Sequence, residues 1–193
     1  MKSAQKTSVA LALAALNLTI GGLVSWLKMP VYLDSIGLII STVLLGWRFG
    51  LLTGAVTVGA GFLLINPYLP AYFATLIGLV FTTEILARRK MFSTFGRTVA
   101  SGVILATVAA VLSAPVTAFL FGGVTASGAD LITALLRKTG QNILQAVLLS
   151  GMSSELVDKS LCAMASFLIF RALPQRFFFD FSLRSPMRGP DAG

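Results

Sequence analysis

Two apolar runs, Leu33 to Leu45 and Leu51 to Ile65, stand back to back between Val31 and Asn66, separated only by Gly46-Trp47-Arg48-Phe49-Gly50. At ~1.5 Å per residue each run covers most of a ~30 Å hydrocarbon core, and with its flanks completes it. The spacing therefore predicts a helical hairpin in a membrane, over about Tyr32 to Leu45 and Phe49 to Ile65. Gly46, Gly50 and Gly54 recur every fourth residue, as small residues do where membrane helices pack closely.

The rest of the chain keeps the same character. Of its 193 residues 56% are hydrophobic and 11% charged, whereas about a quarter of a soluble domain is charged. Lipid offers the backbone no hydrogen bonds, so only helices or closed barrels cross it, and the long apolar stretches lack the alternation of barrel strands. The expectation is an all-α integral membrane protein.

Taken in order, a first span runs from Thr7 to Leu27. It follows Lys2 and Lys6 but is longer than a typical signal-peptide core, and further apolar segments follow, so it is expected to be a retained helix. Asn17 lies near its middle and is costly in lipid unless it faces protein. Trp26 and Lys28 fit an interfacial anchor. After the hairpin, Asn66-Pro67-Tyr68-Leu69-Pro70 forms a turn. A fourth span covers Ala71 to Ala87, with Glu84 four residues before Arg88 and poised to pair with it. A fifth runs from Thr98 to Phe121.

Ala129 to Ser150 carries Asp130, Arg137, Lys138, Gln141, Asn142 and Gln145, too polar for an independent span. It is expected to be an amphipathic or re-entrant helix before the sixth span. Gly151 to Ser154 reads as a break with Ser154 as N-cap, and the sixth span as Glu155 to Leu173. Six transmembrane helices thus form one bundle over residues 1–176. Residues 177–193, rich in Arg, Ser and Pro, have the composition of a disordered tail.

Charge distribution sets the orientation. Six spans put Lys2, Lys6, Arg48, Arg88, Arg89, Lys90, Arg97, Arg171, Arg176, Arg184 and Arg188 on one side, and Lys28, Arg137 and Lys138 on the other; Lys159 falls inside the last span. Eleven against three places both termini and the tail in the cytoplasm, and the protein in the cell membrane. The net charge of +8 follows from these connections and termini rather than from a basic surface, which argues against nucleic acid. With no His and the single Cys162, a His/Cys metal centre and an intramolecular disulfide are excluded. There is no His for acid–base chemistry, no phosphate loop and no carboxylate pair spaced for hydrolysis, so neither an enzyme nor a cofactor is expected.

The candidate binding residues gather toward the outer side. Glu155 and Lys159 pair at i,i+4, which leaves Asp158 without a partner in its own helix. Ionisable groups at membrane depth are functional candidates, so Asp158 is expected to meet Arg137, Lys138 or a ligand. Gln141, Asn142 and Gln145 form a polar stripe. Trp26, Tyr32, Tyr68 and Tyr72 offer rings to a heterocycle or form an interfacial belt. Asn17 and Asp34 complete the set, with Asp34 equally placed to face the N-terminal dipole of the second helix. Ala10 and Ala14 form a small-residue face on the first helix.

The alanine pair, LDSIGLIISTVLLGWRFGLLTG (33–54), LFGGVTASGADLITALL (120–136) and ELVDKSLCAMASFLIFRALPQR (155–176) resemble the substrate-binding S component of energy-coupling factor (ECF) transporters, over nearly the whole chain. The resemblance implies a six-helix subunit that captures a vitamin or related micronutrient from outside. It also implies that Ala10 and Ala14 dock on a transmembrane T component driven by two cytoplasmic ATPases. The site would lie in Trp26 to Asp34 and in the Gln141 to Lys159 region. The residue sets of the biotin, thiamine and riboflavin members are not evident. A sensory or structural membrane subunit and a lipid-acting enzyme are the alternatives; the second lacks the acidic or His cluster it would need.

Overall fold

A computed structural model describes residues 3–125 and 128–174. It is all-helical, with no strand among the described residues. The helices are α1 (Ser3–Trp26), α2 (Ile36–Leu45), α3 (Trp47–Leu64), α4 (Phe73–Arg88), α5 (Phe95–Pro115), α6 (Ala129–Lys138) and α7 (Ile143–Ala172). A 3₁₀ turn, Leu69–Tyr72, leads into α4, and a π turn, Val116–Leu120, follows α5. Pro115, which cannot donate a backbone hydrogen bond, stands where the α-helical ladder gives way to that turn.

Four helical segments are long and apolar enough to cross a membrane: Ser3–Trp26, Trp47–Leu64, Leu69–Arg88 and Phe95–Leu120. Their outward faces expose Phe81, Ile85, Val103, Val111 and other large apolar side chains. Two expected spans depart from this pattern. α2 is only ten residues, ~15 Å of helix, because the chain before it runs as an irregular connector whose Tyr32 and Leu33 N–H groups meet Asp158, midway along α7. α7 is thirty residues, ~45 Å, and carries Glu155, Asp158 and Lys159 at its centre.

Several boundaries differ from the expectation. α7 starts at Ile143 and passes through Gly151 to Ser154 without interruption. Ser154 is therefore not a cap. Asn142 caps α7 instead, its side chain accepting from Gln145 N at 2.9 Å. The amphipathic helix shrinks to α6, which turns Leu131 and Leu135 outward and joins Thr133 to Ser150 on α7 at 2.6 Å. Gly46 has φ 97° and separates α2 from α3, so it shares no helical face with Gly50 and Gly54. Glu84 pairs with Arg88 at 2.8 Å as expected. The expected tail, 177–193, lies outside the described residues.

The core lies where α2 is wrapped by its neighbours: all ten of its residues are buried. α5 and α7 cross through small residues, Ser101, Gly102, Ala106 and Ala109 on one side and Cys162, Ala163 and Ser166 on the other. A Cβ placed on Gly102 would lie 2.7 Å from the Cα of Ser160. Backbone cannot yield as a side-chain tip does, so Gly102→Val forces the helices apart. Overpacking of this kind costs ~1–3 kcal/mol, and the expected result is a clear fall in Tm. A parent-like melting curve contradicts this crossing.

Candidate functional site

A cavity of about 200 Å³ lies between the helices. An apolar hole of ~150 Å³ suffices for benzene, so this one admits a ring with a polar substituent. α1 lines it with Asn17 and Gly21, α3 with Gly54 and Thr57, α4 with Thr75, Leu76 and Leu79, and α5 with Ala109 and Ser113. Three connectors also line it. Tyr32, Asp34 and Ser35 come from the first, Asn66 and Leu69 from the second, and Thr125 from the third. The second and third are tied by Asn66 Nδ2, which donates to the Thr125 carbonyl at 3.1 Å.

Glu155 and Lys159, one turn apart on α7, bring charge to the wall. Lys159 Nζ is buried and donates to Asp158 Oδ2 and to Ser35 Oγ, the latter at 3.1 Å. It lies 3.3 Å from Glu155 Oε2 and 3.6 Å from Asp34 Oδ1. One ammonium thus gathers three carboxyl groups from α7 and the α1–α2 connector. Such a cluster is tolerated in a low-dielectric interior only if its members satisfy one another.

Asp158 is placed differently from the expectation of a carboxylate awaiting Arg137, Lys138 or a ligand. It is fully buried, outside the cavity lining, and its Oδ1 accepts from the backbone N–H groups of Tyr32 and Leu33 at 2.8 and 2.5 Å. Leu33 has φ 48°, a left-handed conformation costing ~1–2 kcal/mol for a side-chain-bearing residue. The charge-assisted bonds to Asp158 offset that cost and hold the connector against α7. Asp158 is therefore a positioning residue: it sets where Tyr32, Asp34 and Ser35 meet the cavity.

The other expected residues divide. Asn17 lines the cavity, but its amide links helices, accepting from Gly37 N at 2.6 Å and donating to Thr57 Oγ1 at 3.4 Å. Tyr32 and Asp34 are at the wall. Trp26 is 78% exposed and does not line it. Gln141, Asn142 and Gln145 lie at the start of α7, away from it; Asn142 is the cap already described. Ala10 and Ala14 are fully buried within the chain, with Thr53 Oγ1 donating to the Ala10 carbonyl at 3.1 Å.

Several lining groups were not anticipated. Thr75 Oγ1 is buried without a hydrogen-bond partner at the wall. Thr117 meets the Tyr72 hydroxyl at 2.8 Å in the π turn. Ser113 and Thr117 are four residues apart, a helical-face signal visible in the sequence. Among the described residues no cluster suited to a metal ion occurs.

The arrangement can bind a small molecule: a recessed, mostly apolar space with a few converging polar groups is how such sites are built. No family model, curated protein or solved structure matches the chain.

Proposed function

We propose that the chain is the substrate-binding S component of an ECF-type importer. It captures a vitamin or related small micronutrient at its outer side and passes it to a T component driven by two cytoplasmic ATPases. The observation that carries this is the cavity itself, lined by three connectors at one end of the helices and walled in part by the 33–54 and 155–176 stretches on which the family resemblance rests. In this account α1, α2, α3, α4, α5 and α7 make six passes, α2 completed by the connector before it, with α6 on the outer surface. The eleven-to-three charge bias puts both termini in the cytoplasm.

Docking cannot use the Ala10 and Ala14 side chains, which the chain's own helices cover. The opposite face of α1 presents Ala4, Ser8, Ala12, Ala15 and Thr19, all exposed and spaced three or four residues apart. That face suits close approach by a partner's helices.

Orientation is tested by impermeant thiol labelling of intact cells carrying Arg89→Cys or Thr139→Cys in a Cys162→Ser background. Thr139 lies between α6 and α7 and is expected to label from outside; Arg89, after α4, only once the cells are opened. The reverse pattern, or labelling of both from outside, contradicts the six-pass account.

A further inference from the structure

We infer that the cavity selects a ligand carrying a positive charge, an amine or amidine group on a ring small enough for the space. This rests on the cavity being a capture site and goes further by assigning the charge of what is captured.

The charge at the wall sets the sign. Asp34, Glu155 and Asp158 surround Lys159, three carboxyl groups to one ammonium, which sums to −2 when all are ionised. With one carboxyl protonated the sum is still −1. Among the described residues Lys159 is the one cation lining the cavity. Its Nζ donates to Asp158 and Ser35 and lies within ion-pair distance of the Glu155 and Asp34 carboxyls, so three carboxyl groups already surround its charge. A carboxylate or phosphate approaching it would meet surplus negative charge.

Asp158 is committed to Lys159 and two backbone N–H groups. Asp34 and Glu155 are not committed to the same degree. Glu155 Oε2 is buried, contacts Lys159 at 3.3 Å and makes no hydrogen bond; Asp34 Oδ1 accepts from Ser35 Oγ at 2.9 Å, but 37% of the Asp34 side chain stays exposed. Both line the cavity. The buried Thr75 hydroxyl, unpartnered on the cavity wall, is an independent sign that a polar group belongs in the space. A ligand ammonium between Asp34 and Glu155 balances the charge, as Lys159 Nζ already does in part from its place 6.0 Å over the Tyr32 ring.

Benzylamine, benzyl alcohol and benzoate match in ring size and differ in charge. Calorimetry on the full chain in detergent is expected to show benzylamine bound at least about tenfold more tightly than benzoate, with benzyl alcohol between them. Asp34→Asn keeps the shape and lies at a partly exposed position, so it folds; it is expected to cut benzylamine affinity by about tenfold and leave benzyl alcohol unchanged. Benzoate bound as well as benzylamine overturns the charge assignment while leaving capture standing. Benzylamine bound equally by the parent, Asp34→Asn and Glu155→Gln also overturns it. Binding of none of the three overturns both. Conversely, charge-selective binding by a chain that never supports uptake with a T component and ATPases sinks the importer and leaves the charge assignment intact.

Discussion

Asp158→Ala is expected to be among the most destabilising single substitutions in the chain. It strips the Tyr32 and Leu33 backbone N–H groups of their acceptor and leaves Lys159 buried with only its more distant carboxylates. Breaking a buried ion pair from one side costs ~3–5 kcal/mol, and an orphaned buried donor adds ~1–3 kcal/mol. Against a total stability of ~5–15 kcal/mol, such a loss prevents folding or lowers Tm steeply. Asp158→Asn keeps an acceptor oxygen but gives up the charge, and is expected to lose ~1.5–3 kcal/mol. Asp34→Asn, at 3.6 Å from Lys159 and partly exposed, should melt close to the parent. Thermal unfolding of the three variants in one detergent ranks them; an Asp158→Ala protein with the parent's Tm would remove this residue from its positioning role.

The second large effect separates two faces of α1. Ala12 is exposed and Ala10 fully buried, so tryptophan at the two positions should fail in different ways. On the importer proposal, Ala12→Trp is expected to fold and bind ligand like the parent, yet to lose assembly with the T component and with it nearly all uptake. Ala10→Trp must be driven into a filled contact with α3 and is expected to unfold or to be made in low yield, at ~1–3 kcal/mol or more of overpacking. Co-purification with a tagged T component, uptake by cells and melting of the isolated chain distinguish them. Wild-type uptake by Ala12→Trp removes the outward stripe from the mechanism.

Features that depend on local chemistry were legible in the sequence. The Asn66 to Pro70 turn, the Glu84–Arg88 pair and the polar character of Ala129 to Lys138 follow from a few adjacent residues. What the sequence concealed was set by distant partners. Asp158 pairs with its neighbour Lys159, but its other oxygen accepts from backbone N–H groups 126 and 125 positions away, which no side-chain pattern reveals. Gly151 to Ser154 reads as a break because Gly and Ser interrupt soluble helices, whereas among packed apolar helices small residues allow close contact. Ala10 and Ala14 were legible as a contact face, but nothing local says whether the contact is with α3 or with another subunit. The charged part of the wall, Asp34, Glu155 and Lys159, stood out against apolar surroundings. The hydroxyls of Thr75, Ser113 and Thr117 did not, since single Ser and Thr residues commonly satisfy themselves on the preceding turn of a helix.

The claim that this cavity captures a small molecule is tested most directly by native mass spectrometry of the purified chain beside Thr75→Trp. The indole fills the space that Thr75 borders. The expected spectrum of the parent shows one small molecule per chain, shed on denaturation, and Thr75→Trp is expected to fold but carry none. A parent that stays bare after growth in rich medium, or a Thr75→Trp chain that holds the same molecule equally well, contradicts capture in this cavity.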